Sequence, residues 1–348
     1  MHSTTPGAEI LRQLGFAAHD DHGLTASFAK FDDGADFRIE VPAVNSLATF
    51  SGILRRARRQ GIFVNRATET LGLFRHTRRE LRDYLSLARD EGVAMYFSAG
   101  PPAEYDAGAT RPTPRTGGCA GDRLRGVDQV RNALDDVLRG IDLGCRNFVV
   151  HDEGLLHILS LARSRRRIPA EVRFKASARL GYANAAGVRL LAGLGADSVT
   201  PVRDLPPAAV AAMRQAVDVP LDLHTDNPPG SGGFVRTYEI PDLVRVARPV
   251  HLMPGDAAPA AHGAVTDTAD GERMADQTAI VVETLQRLAP ELRQSPAGTE
   301  TPPAAGPRTP VNGVGGRPLT VSPLTDPDKG LGPIKDGGLR PAKDKPYA

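Results

Sequence analysis

Tryptophan is absent from this chain and cysteine nearly so, with only Cys119 and Cys145 in 348 residues. Two cysteines in a chain of this length make neither a disulfide framework nor a paired CxxC metal site. A reducing, cytoplasmic setting is therefore expected. A dominant sign of charge is missing too: 43 Lys and Arg against 41 Asp and Glu leave a net +2. No global field then points to nucleic acid or to an anionic membrane. No apolar run approaches the ~20 residues that span a bilayer, and the N-terminus lacks the apolar core of a signal peptide. Two motifs are also absent. No GxGxxG follows the first predicted strand, which counts against a doubly wound dinucleotide-binding sheet. No GxSxG occurs, so a serine nucleophile has no elbow to sit on.

What the chain has is 41% hydrophobic residues and a regular alternation of strand and helix patterns. Short strand-like runs fall at 37–43, 62–66, 93–99, 147–151, 172–177, 196–201, 219–225 and 249–253. Helical periodicity fills the intervals: about 46–60, 77–90, 127–143, 155–162, 184–194, 206–216, 241–247 and 273–288. The first of these puts Leu47, Phe50, Ile53, Leu54 and Ala57 on one face, with Asn45 or Ser46 as cap and Gly61 as stop. Eight such units over about 250 residues predict a single-domain (β/α)8 TIM barrel. Residues 1–36 read as an N-terminal extension, with a short helix near 8–14 and a strand at 24–31 covering one end. Residues 37–293 read as the barrel. Residues 294–348, rich in proline and glycine, read as a disordered tail. The 100–125 stretch, long and without periodicity, reads as a lid over the mouth.

In a barrel the C-terminal strand ends converge on one mouth. The richest end is 219–239, where His224, Asp226 and Asn227 precede Pro228-Pro229, a glycine-rich loop, Arg236, Tyr238 and Glu239. Taken with the other predicted strand ends, it gathers Glu40, Asn65, Arg66, Glu69, Tyr96, His151, Glu153, Lys175, Arg179 and Arg203. His224 with Asp226, and His151 with Glu153, suit acid/base work near neutral pH. Glu40, His151, Glu153, His224 and Asp226 also offer the mixed N/O donors of a divalent metal site. Lys175 is open to two readings, a Schiff-base amine or an ion-pair partner of Glu153 or Glu40. Arg66, Arg179, Arg203 and Arg236 can clamp a carboxylate or phosphate, with Glu40, Asn65 and Tyr238 completing the substrate contacts. Cys145 reads as core. The basic run 163–167 reads as a helix C-terminus complementing its dipole.

Three stretches, Val-His-Asp-Glu-Gly at 150–154, Gly-Ala-Asp-Ser-Val at 195–199 and Ser-Gly-Gly-Phe-Val-Arg-Thr-Tyr-Glu-Ile-Pro at 231–241, resemble the collagenase-like peptidases of family U-32, over about 37–290. The resemblance implies a barrel and a hydrolase or modifying enzyme. It does not bring the iron–sulfur cluster of some members, because the four cysteines that hold it are not here. The expected function is a barrel enzyme acting on a small polar or peptide-like anionic substrate, without a membrane or nucleic-acid partner. Two further readings stand beside it: a metal-dependent isomerase or lyase, and a non-catalytic barrel that binds a ligand. The sequence says nothing of oligomeric state.

Overall fold

The computed structural model describes residues 6–300 apart from 19, 22, 102–122 and 260–262. Eight parallel strands close into a barrel: β1 (Phe37–Val41), β2 (Arg66–Glu69), β3 (Ala94–Ser98), β4 (Asn147–Val150), β5 (Arg173–Ala176), β6 (Ser198–Val199), β7 (Leu221–His224) and β10 (Val250–Met253). The remaining two, β8 (Asp226–Asn227) and β9 (Phe234–Val235), form a small antiparallel hairpin beyond β7. Helix α1 (Pro6–Gln13) precedes the barrel. The outer ring is α2 (Leu47–Arg59), α3 (Arg78–Asp90), α4 (Gly126–Asp142), α5 (Glu153–Ser164), α6 (Ala185–Gly193), α7 (Pro207–Ala216), α8 (Ile240–Ala247) and α9 (Thr268–Leu288). The (β/α)8 expectation is met. No helix among the described residues is long and apolar enough to cross a membrane.

Helix starts follow from local side-chain chemistry. Ser46 caps α2 by accepting from the Thr49 N–H, and Asp152 caps α5 by accepting from the Leu155 N–H. Thr77 with Glu80, and Asp267 with Asp270, form reciprocal capping boxes. The second box starts α9 at Thr268, five residues before the apolar periodicity begins. Barrel closure then brings the first and last helices of the ring together. A Cβ on Gly271 would lie 2.3 Å from the Thr49 carbonyl oxygen, and one on Gly52 would lie 2.7 Å from that of Thr268. Only glycine lets α2 and α9 pack this closely.

The outward face of the strands is apolar and packs under the helices: Phe37, Ile39, Val41, Phe148, Val150, Leu221, Leu223, Val250 and Leu252 are all buried. The lumen is different. Glu40, Arg66, Lys175, Ser198, Asp222 and His251 are nearly inaccessible to solvent, and they touch across the barrel rather than along it. Arg66 of β2 places Nη1 3.2 Å from Glu40 Oε2 and 3.4 Å from Asp222 Oδ1. Strands β2 and β7 are not neighbours in the sheet, so the Arg66–Asp222 contact spans the lumen. Lys175 ion-pairs with Glu40 and lies 3.6 Å from Asp222. Ser198 Oγ donates to Asp222 at 2.6 Å, and Thr68 Oγ1 donates to Glu40 at 2.6 Å.

Three expectations need correction. The second strand is not 62–66 but Arg66–Glu69, because its polar inward side chains belong to a charged lumen. The apolar run before it was the wrong guide. Residues 24–31 form no strand. They cross the N-terminal face of the barrel, with the Ser27 N–H donating to the Arg245 carbonyl and Ser27 Oγ to that of Arg248. Residues 294–300, counted with the tail, run along the barrel floor. Gln294 bridges to Phe37 and the Ser295 N–H donates to its carbonyl. Asn65 Nδ2 donates to the carbonyls of Ser295 and Pro296. Glu300 reaches Arg66. Residues 301–348 and most of the predicted lid lie outside the described residues.

Candidate active site

The polar groups at the C-terminal mouth cluster around β7. His224, its last residue, is 4% exposed, with Nδ1 3.3 Å from Oδ2 of a fully buried Asp256. Asp256 lies in the turn after β10, so register alone carries it beside β7, where Met253 pairs with His224. Arg203, following β6, lies 3.7 Å from the same Asp256 oxygen and donates to Asn227 Oδ1 at 2.8 Å. Arg236 donates to the Arg203 carbonyl at 3.3 Å and ion-pairs with Glu239. Together these give one imidazole, one buried carboxylate and two guanidinium groups at the top of the barrel.

Electrostatics fixes the state of the imidazole. Burial and the nearby Arg203 cation push His224 down to about 4, against the opposing pull of Asp256. At neutral pH the ring is uncharged. Asp256 lies 3.3 Å from Nδ1 without a formed hydrogen bond; a proton on Nδ1 is the tautomer its charge favours, with Nε2 then the acceptor. Among the described residues nothing is hydrogen-bonded to that Nε2. Asp226 has a different task. Its carboxylate accepts from the Gly255 and Ala257 N–H groups, each at 2.9 Å, and so pins the turn that carries Asp256. Burial, reinforced by Asp256, pushes Asp226 up to about 6.

The other expected site residues are spread through the barrel. Asn65 and Arg66 stand at the start of β2, hence on the floor and not the mouth; that placement followed from the misread strand. Glu40 and Lys175 sit in the lumen between floor and mouth, joined as an ion pair. Lys175 is thus in its ion-pair arrangement, with Glu40 rather than Glu153 as partner. His151 and Glu153 follow β4. The His151 carbonyl accepts from Arg123, while Glu153 accepts from Arg123 at 3.0 Å and from the Tyr182 hydroxyl at 2.9 Å. Arg179 lies in the turn after β5. Tyr238 is 79% exposed and lines a shallow groove with Ile280, Glu283 and Arg287 on the outside of the ring. Glu69 accepts from the Leu71 and Gly72 N–H groups, and His76 Nε2 lies 3.2 Å from it. Tyr96 lies under the Arg66 guanidinium.

The five residues considered as metal ligands therefore do not converge. Among the described residues no group of three or more His, Cys, Asp or Glu side chains is placed to hold a metal ion. Cys145 is buried, with its thiol pushed up to about 12, as a core residue would be. Sequence reading missed Asp256, Asp222, His251 and Glu300. Asp222 and His251 precede His224 and Met253 by two residues on their strands, so period-two alternation would have found both. Asp256 and Glu300 sit in turns and carry no such signal.

No family model matches the chain, and no curated protein matches it. Solved structures similar to it include the YdjI aldolase from Escherichia coli K12, at 14% identity and a TM-score of 0.42, covering 73% of this chain and 90% of that one. A 3-hexulose-6-phosphate synthase matches at 14% identity and a TM-score of 0.37, covering 69% and 99%. A U32 peptidase matches at 18% identity and a TM-score of 0.36, covering 57% and 72%. Likenesses this distant do not choose between peptidase and aldolase chemistry.

Proposed function

We propose that the chain is an enzyme that moves a proton on a small anionic substrate at the C-terminal mouth, as an isomerase or lyase does, with His224 as the base. The observation that carries this reading is the uncharged His224 ring, faced on Nδ1 by buried Asp256, with Nε2 unbonded and Arg203 close by. An imidazole at about 4 is a weak base, and the efficient range lies nearer the working pH. An anionic substrate narrows the mismatch by offsetting the Arg203 part of the depression, while the larger part, burial, stays. Paired with Arg203, it cancels the cation that helps to depress His224, and the base strengthens as the substrate arrives. The same guanidinium holds the carboxylate or phosphate through parallel hydrogen bonds. Substrates without an anionic group leave the base weak.

This reading takes the place of the hydrolase suggested by the U-32 resemblance. Among the described residues no serine, threonine or cysteine is hydrogen-bonded to His224, so the pair has no protein nucleophile to activate. The metal-dependent form of the reaction finds no converged ligand set among the described residues. The test uses a panel of small 2-hydroxy acids, 2-oxo acids and sugar phosphates in deuterated water, followed by proton NMR. At least one is expected to exchange a carbon-bound proton or to be cleaved, and His224→Gln should slow this by about 10²–10⁴-fold. A folded His224→Gln protein with full exchange activity would overturn the assignment. No exchange or cleavage across the panel would favour a ligand-binding barrel instead.

A further inference from the structure

The end of the barrel opposite the mouth holds a second cluster that the proposed reaction does not use. Glu300 enters the floor from below, and its carboxylate accepts from Arg66 Nε at 3.0 and 3.1 Å and from Arg66 Nη2. His251 Nε2 lies 3.5 Å from the same carboxylate and Arg38 Nη1 3.9 Å. This is a fork-shaped carboxylate receptor with two flanking nitrogen groups. Its walls are built by the fold. Arg66 is 3% exposed and stacked 4.2 Å over the Tyr96 ring. Arg38 is held by the Phe31 ring and by Asp33 at 3.4 Å, with a further bond to Ser295 of the strap itself, and His251 Nδ1 lies 2.8 Å from Asp222. The occupant is less firmly built in. It hangs on the strap 294–300, whose last backbone bond to the barrel is from the Gly298 N–H to the Gly92 carbonyl.

Charge makes the same point. In the lumen and floor Arg66 and Lys175 face Glu40, Asp222 and Glu300, and Arg38 lies 3.4 Å from Asp33 as well as 3.9 Å from Glu300. The strap supplies the one carboxylate held in the Arg66 fork, and without it Nε and Nη2 of a buried guanidinium lose their acceptor.

We propose that the barrel floor is a binding site for a small carboxylate or phosphate, formed by Arg66, Arg38 and His251, and that Glu300 is its tethered, displaceable occupant. A tethered carboxylate competes at an effective concentration of about millimolar or more. A free anion therefore fills the site only when the strap is withdrawn, or when it carries more charge than a single carboxylate. The site is separate from the His224 cluster, and its test does not depend on the reaction proposed there.

The experiment is chemical rescue of the full-length chain. Glu300→Ala removes the carboxylate and leaves room for formate or acetate. It is expected to lower the Tm by on the order of 5 °C or more. Sodium formate should then restore at least half of that loss in a saturable way, while the wild-type Tm stays flat against sodium chloride at equal ionic strength. Phosphate and acetate form the other arms, and the anion with the lowest half-saturating concentration identifies the preferred class. Rescue equal in formate and chloride, or a wild type that gains as much as the variant, overturns the site. If Glu300→Ala does not fold alone, it should become soluble and cooperative on refolding in formate, and Glu300→Gln should fold without responding to formate. Failure of Glu300→Ala in both salts is likewise an overturning result.

Discussion

His224 and Asp226 sit two residues apart and hold protons against their ordinary preferences in opposite directions. His224 is depressed from 6.5 to about 4, and Asp226 is raised from 3.8 to about 6. The depressed histidine contributes stability that is full above pH 6.5 and is lost as pH falls through about 4. The raised aspartate contributes stability that is full below 3.8 and is lost as pH rises through about 6. Each is worth roughly 3 kcal/mol, at about 1.4 kcal/mol per pH unit. Between about pH 4 and 6 the two slopes offset. Single substitutions should expose them. Relative to wild type, Asp226→Asn should gain stability with rising pH across that window, and His224→Gln should lose it. Urea midpoints at pH 4.5 and 6.5 for the three proteins check this, and variant curves parallel to wild type would sink it. A second expectation at this scale concerns activity. With His224 as base, kcat/KM of the free enzyme should rise with pH through about 4 and then level, which a pH–rate profile reads directly.

Two elements carry more of the fold than their length suggests. One is the strap 294–300. Cutting the chain after Gln294 removes the Glu300 carboxylate from Arg66 and leaves the guanidinium buried between Glu40 and Asp222. Losing these charge-assisted bonds costs about 1.5–3 kcal/mol, a fall in Tm of roughly 3–12 °C for a domain of this size. A chain cut after Glu300 keeps every strap contact, so the difference between the two truncations, read by thermal unfolding, measures the strap alone. Equal Tm values would mean that it adds nothing. The other element is the α2–α9 seam. Gly271→Ala puts a methyl group 2.3 Å from the Thr49 carbonyl oxygen, where backbone on both sides resists movement. Overpacking of this kind costs about 1–3 kcal/mol, visible as a lower denaturant midpoint with an unchanged m-value. Gly193→Ala, with open space around it, is the control expected to change little.

For the molecule as a whole, the outer shell of the barrel was legible and the interior was not. Phe37, Ile39 and Val41, or Leu221 and Leu223, alternate as buried strands should, and glycine and capping residues mark the helix ends. The lumen defeats the same rules, because Arg66 and Thr68 face inward on a strand that looks like a loop. His224 and Arg203 were readable as strand-end residues. Their carboxylate partner Asp256 was not, because a turn has no period to betray which way its side chains face. The charged interior also sets the response to acid. Burial disfavours ionised Asp222 and Glu300, yet Lys175 and Arg66 for the first, and Arg66 and His251 for the second, hold both well below the usual carboxylate range. Both therefore contribute stability above about pH 4.5 that is lost as pH falls. Glu300→Gln should flatten the dependence of stability on pH below 4.5 by about one proton, a change in slope that acid titration of the urea midpoint resolves.

The position of Glu300 in the chain also has a consequence during synthesis. Arg38, Glu40, Arg66, Lys175, Asp222 and His251 all leave the ribosome before it. Once β10 has emerged, the ring of strands has all its members, but Nε and Nη2 of Arg66 still lack the carboxylate that they will hold. At about 5–20 residues per second, several seconds separate His251 from Glu300. Through that interval the nascent barrel has an unfilled guanidinium fork at its axis and an open floor. Its last ionic partner is delivered only after the final helix has been made.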